Sequence, residues 1–165
     1  MEALAIPYFD NASVSLFDET DWTSEGAKTA LSAFLTLTPA DRLADAPHVY
    51  AYYKDYHEIV GGEDWLDQKM GVPQSATDIW QHVTPVIIFA RQGRDGDENW
   101  YIGLEAKCAW EEEHGLMMVW RHGTQLCKVS GYDDELTNAD AYGNGDLADI
   151  VYNPTNPKFT TRSNT

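Results

Sequence analysis

Apolar and polar positions alternate most regularly between Trp100 and Trp110. There Trp100, Ile102, Leu104, Ala106, Cys108 and Trp110 fall on every second residue. A period of two predicts a β-strand with one buried face. The runs Val83–Ala90, Leu116–Arg121 and Gln125–Ser130 predict three further strands, and His122-Gly123 supplies a tight turn between the last two. Together they predict an antiparallel meander. Placing Glu105 opposite Arg121 and Ala106 opposite Trp120 matches charge with charge and small with large. The same register sets Cys108 and Cys127 either side of Met118, two strands apart, as buried thiols on the Trp-bearing face.

Upstream the period lengthens. Ala27, Ala30, Leu31, Phe34 and Leu35 form one helical stripe, with Thr23 or Ser24 as its cap. A second helix is expected from Asp45, as N-cap, to Val60, where Gly61-Gly62 stops it; its apolar positions include Val49, Tyr52, Tyr53 and Tyr56. Ile6, Tyr8, Val14 and Leu16 flank Asp10-Asn11 as a hairpin would. The expected fold class is α+β: a single domain over residues 1–152 with an N-terminal β-hairpin, two main helices and a C-terminal four-stranded antiparallel β-meander. Residues 153–165, polar and interrupted by Pro154 and Pro157, read as a flexible tail.

Charge then narrows the function. The chain has 165 residues, 27 acidic and 11 basic, for a formal net charge of −16. An aromatic content of 12% excludes a disordered polyanion. The negative surface repels phosphates and anionic lipid, so neither nucleic acid nor a membrane is an expected partner. Apolar runs such as Val86–Ala90 are far too short to span a bilayer, and Met1-Glu2-Ala3-Leu4 lacks the basic start of a secretory leader, which points to the cytoplasm.

No catalytic set is visible. There is no nucleophile elbow and no phosphate-cradling glycine loop, and both cysteines point inward, so no catalytic residue and no cofactor are expected. Residues 138–149 have some calcium-loop spacing, but Tyr142 and Asp149 stand where a short ligand and a bidentate glutamate belong. No metal site is expected; Glu113 and His114 come nearest to one.

The acids of the second half are the remaining signal, 13 against 3 bases over residues 95–149. In the meander, Glu111, Glu112 and Glu113 leave the sheet at the same end as Asp133, Asp134 and Glu135, and the 91–99 loop leaves at the other. With Trp110 and Tyr132 as anchors, these eight residues form an expected rim for a basic protein partner, a toxin or a nucleic-acid-binding protein. The expected function is therefore a non-enzymatic, acidic protein-binding domain, monomeric or weakly dimeric. The alternative is a metal-dependent hydrolase using Glu113 and His114.

Three runs carry a family resemblance: Glu63-Asp64-Trp65-Leu66-Asp67, Asp78-Ile79-Trp80-Gln81-His82-Val83, and Cys108-Ala109-Trp110 through Leu116 with Lys128 to Asp133. Over about residues 25–150 the chain resembles an uncharacterised family of bacterial stand-alone acidic domains, similar to immunity proteins of toxin systems. The resemblance implies a role as a toxin inhibitor and no catalytic residue. Where that family often has glycine and histidine after the position of Asp133, this chain has Asp134 and Glu135.

Overall fold

The computed structural model describes residues 2–163. The chain begins with β1 (Ala3–Ile6) and β2 (Ala12–Leu16), joined by a 3-10 turn and by Asp10 and Asn11, both at positive φ. Helix α1 (Glu25–Phe34) is capped by the Ser24 hydroxyl, which accepts from Ala27 N. Helix α2 (Pro39–Ile59) follows at once, with Pro39 in its first turn and Thr38 N donating to the Asp41 carboxylate at 2.8 Å. It starts six residues before the expected Asp45 cap. Pro47 therefore lies inside the helix; the carbonyl it cannot pair, that of Leu43, belongs to an exposed residue. A short α3 (Leu66–Met70) and a 3-10 segment (Ala76–His82) lead into the sheet.

Strands β3 (Val83–Gln92), β4 (Trp100–Cys108), β5 (Leu116–Arg121) and β6 (Gln125–Ser130) pair antiparallel in sequence order. They do not form a separate C-terminal unit, and this corrects the expected fold class. β2 pairs parallel with β3, Ser15 beside Ile87, so the hairpin and the meander make one six-stranded mixed sheet ordered β1-β2-β3-β4-β5-β6. A second, two-stranded sheet joins β7 (Ile150–Tyr152) to β8 (Thr161–Arg162), and α4 (Asn138–Tyr142) precedes it. A parallel pair needs a long crossover, and residues 17–82, carrying α1 to α3, provide it.

The two faces of the sheet are covered differently. On the first, Ile88, Ile102, Leu104, Met118 and Trp120 pack beneath the helices. Tyr8 sits there in edge contact with Phe9, Trp80 and Trp120, and Phe34 lies 4.7 Å from the Trp120 ring. On the second face Phe89, Tyr101, Met117, Val119 and Cys127 are covered by Leu136, with Phe17 and Tyr132 at the margin. Gly103 makes this possible. A Cβ there would stand 2.1 Å from the Phe89 ring, so the ring can reach across β4 only over glycine.

The register also departs from expectation. Tyr101, not Glu105, faces Arg121, and Leu116, not Trp120, faces Ala106. A bulge between Val119 and Trp120 shifts β6, which puts Cys127 on the second face while Cys108 stays on the first. Both are buried free thiols.

Residues 153–163 were expected to hang free, and the backbone instead lies against α2. The buried Asp55 carboxylate accepts from Tyr152 Oη at 2.6 Å, Thr155 N at 2.9 Å and Asn156 N at 3.0 Å. Asn164 and Thr165, the end of that expected tail, lie outside the described residues. Among the described residues no helix is long and apolar enough to cross a membrane.

Candidate functional site

The expected acidic rim does not form as one surface. Its two loops do meet, with Tyr132 N donating to the His114 carbonyl at 3.2 Å, but their charges go elsewhere. Glu111 turns inward: its carboxylate accepts from Glu113 N, His114 N and His114 Nδ1 and so ties the loop to itself. Trp110 is 1% exposed, packed edge-on against Tyr52 and Tyr53, because the alternation that buries Ile102 and Leu104 carries it inward too. It belongs to the core. Glu112 pairs with Lys69 at 3.0 Å, and Asp133 pairs with the fully buried Lys128.

Asp134 and Glu135 go furthest. After Ser130 the chain folds back over the second face of the sheet, and they reach Arg91 and Arg94 near the opposite end. Among the described residues, internal cations thus meet four of the six rim carboxylates and a fifth is spent on its own loop, which leaves Glu113.

Elsewhere the same face opens into a concavity. A cleft of about 530 Å³ lies where β2 ends beside β3 and the chain turns towards α1. Phe17, Phe89, Trp100 and Tyr132 supply its aromatic walls. Four carboxylates line it, those of Glu19, Asp21, Glu105 and Asp134, against the single cation of Arg91. The volume falls within the range of about 300–1,000 Å³ common for ligand sites, and parallel strands often place such sites beyond their carboxyl ends.

Each element has a reason to be there. The run Phe17-Asp18-Glu19-Thr20-Asp21-Trp22 leaves β2 and is pinned by Trp22 Nε1 donating to the Phe17 carbonyl at 2.9 Å and by Asp21 accepting from Thr23 N at 3.0 Å. Phe89 lies on the floor because Gly103 clears space for it. Arg91 donates to the Asp134 carboxylate at 3.1 Å and to the Asp134 carbonyl at 2.7 Å, and its guanidinium stands 5.3 Å from the Phe89 ring centre. Tyr132 Oη donates to Asp134 as well; burial, helped by that carboxylate, pushes its hydroxyl up to about 12, so at neutral pH it is a donor. Glu19 and Glu105 are exposed and make no ion pair among the described residues.

Of the eight expected site residues, only Tyr132 and Asp134 line this cleft. The rest of its wall was passed over in the sequence, although three aromatics or acids within five residues, Phe17, Glu19 and Asp21, were a readable signal. A second concavity, lined by His82, Glu105, Lys107, Glu112, Glu113 and His114, holds the metal candidates. Ligand atoms of Glu111, Glu113 and His114 lie within 4.8 Å of one another. His114 Nδ1 is taken up by Glu111, which leaves Nε2 and the Glu113 carboxylate for any ion.

A family described as a domain of unknown function (DUF6985) matches residues 1–136, a span that takes in the N-terminal hairpin and stops before α4. No curated protein and no solved structure matches the chain.

Proposed function

The chain belongs to the DUF6985 family, a domain of unknown function, and for it we propose a non-enzymatic binding role in which a basic protein partner is received in the cleft between β2, β3 and the 132–134 loop. The observation that carries the reading is the lining itself: four carboxylates among four aromatic rings, with one cation. Carboxylates speed encounter with a basic surface, and half-buried rings hold the apolar stem of a lysine or arginine once it arrives. By covering a basic toxin or nucleic-acid-binding protein in this way, an acidic cytoplasmic domain of bacterial origin would act as an inhibitor or immunity protein.

The test uses a basic peptide of alternating arginine and serine. Glu19→Gln with Glu105→Gln should weaken its binding about tenfold and reduce the salt dependence, since two screened attractions are lost. Glu112→Gln with Glu113→Gln should leave it unchanged. The opposite ranking would return the site to the 111–113 loop and overturn the cleft.

The second reading, a metal-dependent hydrolase, has the Glu113 and His114 grouping in its favour. It expects stoichiometric divalent metal after purification without chelator, lost in His114→Ala; protein free of metal under those conditions sinks it.

A further inference from the structure

Resting on the cation-binding reading, we infer that the cleft is a receptor for the guanidinium of an arginine side chain, and that Arg91 is its internal competitor. This face of the sheet already seats two arginines of its own. It builds an arginine against an aromatic ring and a hydrogen-bond acceptor twice. Arg91 stands over Phe89 and forks onto Asp134. Arg121 stands 5.8 Å from the Tyr101 ring centre, and its Nε donates to the Tyr101 hydroxyl, which in turn donates to Asp97.

A planar guanidinium suits such places because it stacks on a ring while its edge makes two parallel donations. An ammonium is compact and more strongly hydrated, so it gives up more water for less contact.

The cleft continues this chemistry beyond Arg91. Phe17, Trp100 and Tyr132 are half-buried, and Glu19 and Glu105 are exposed without an ion pair among the described residues, so rings and acceptors are both left over beside the pair that Arg91 already uses. An incoming arginine finds these and also competes for Asp134, whose side chain is 67% exposed. Removing Arg91 therefore frees an acceptor and a ring face, and takes one repelling positive charge out of the cleft.

The experiment titrates the whole chain, followed by amide and indole NMR signals, with two capped pentapeptides that differ only in a central arginine or lysine. The arginine peptide should shift the Trp100 indole and the amides of residues 17–21, and bind about fivefold more tightly than the lysine peptide. Arg91→Met, which keeps an apolar stem over Phe89, should tighten arginine binding severalfold. Arg91→Lys, which keeps the charge and loses the fork, should change it less. Equal affinity for the two peptides, or unchanged affinity in Arg91→Met with the fold intact, overturns the inference but leaves a cation-binding cleft. If neither peptide shifts these signals, the underlying reading falls with it.

Discussion

The Tyr8 hydroxyl donates to the Asp45 carboxylate at 2.9 Å, yet the carboxyl is held up at about 6 because its burial outweighs that hydrogen bond. Asp41 on the same helix and Trp120 from β5 also act on the carboxyl, and Arg42, which acts on Tyr8, is engaged by Asp10. An acid whose folded pKa is raised prefers its proton in the folded state, so ionisation costs stability as pH climbs from 3.8 through 6. The loss above that window is on the order of 3 kcal/mol. Asp45→Asn removes the ionisation and keeps an acceptor for Tyr8. Urea unfolding should show the variant's advantage growing between pH 4 and pH 7.5. A difference independent of pH would contradict this account.

Asp55 accepts three hydrogen bonds from the C-terminal segment and is 1% exposed. Asp55→Ala strands two backbone donors and the Tyr152 hydroxyl, at a cost of about 3 kcal/mol. The release should be local first. Trypsin should cut after Lys158 in the variant under conditions where the parent protein is intact, and amide exchange should rise at Thr155 and Asn156 before the sheet is affected. Uniform exchange across the molecule would mean that Asp55 supports the whole fold and not this segment.

Lys128 is fully buried on β6, where burial lowers its pKa; its ammonium reaches Asp133 and the Glu135 carbonyl, the latter at 2.8 Å. It fastens the strap that covers the second face. Lys128→Ala should cost about 2–4 kcal/mol, from the cavity its stem leaves and the hydrogen bonds lost to the half-exposed Asp133 and to the Glu135 carbonyl, while Lys128→Met should cost less because its length fills the same space. Calorimetric melting of both variants gives the ranking; equal losses would show that the ammonium and its hydrogen bonds, not packing, are what the site needs.

Burial pushes both Cys108 and Cys127 up to about 12, so neither carries thiolate at pH 8. A chromogenic thiol reagent should label neither in the native protein and both in denaturant. The two lie on opposite faces, so equal labelling rates at intermediate denaturant report one cooperative opening. Fast labelling of Cys127 alone would show the 132–136 strap opening by itself.

The strands of the second half were legible because a period of two is a property of neighbours. Their register was not. Sliding β4 by four residues against β5 keeps every side chain on its face, so hydrophobic pattern accepts the pairing of Glu105 with Arg121 as readily as the observed pairing of Tyr101 with Arg121. What selects between them lies outside the strands: Glu111 clasps its own loop, and, at long range, the Tyr52 hydroxyl from α2 donates to the Gly115 carbonyl at 2.9 Å. The helix starting at Pro39 was hidden by Pro47, which by itself reads as a first-turn residue after an Asp45 cap. The site was misread for a related reason. Acids and aromatics could be counted along the chain, but nothing local shows that Trp110 is interior or that Asp134 and Glu135 double back to Arg91 and Arg94.

By itself the sequence determined the acidity, the alternating strands, the helical stripe under Phe34 and the burial of two thiols, because each depends on residue type or on spacing of a few positions. Tertiary structure alone decided that β2 runs parallel beside β3, that four of the rim's six carboxylates are met by the protein's own cations, and that Phe17, Glu19 and Asp21 come to face Phe89, Glu105 and Asp134. The parallel pairing and the cleft join residues some 70 to 115 positions apart. A pairing at that distance leaves no periodic trace, since it is set by how the chain closes on itself and by which charges that closure brings within reach.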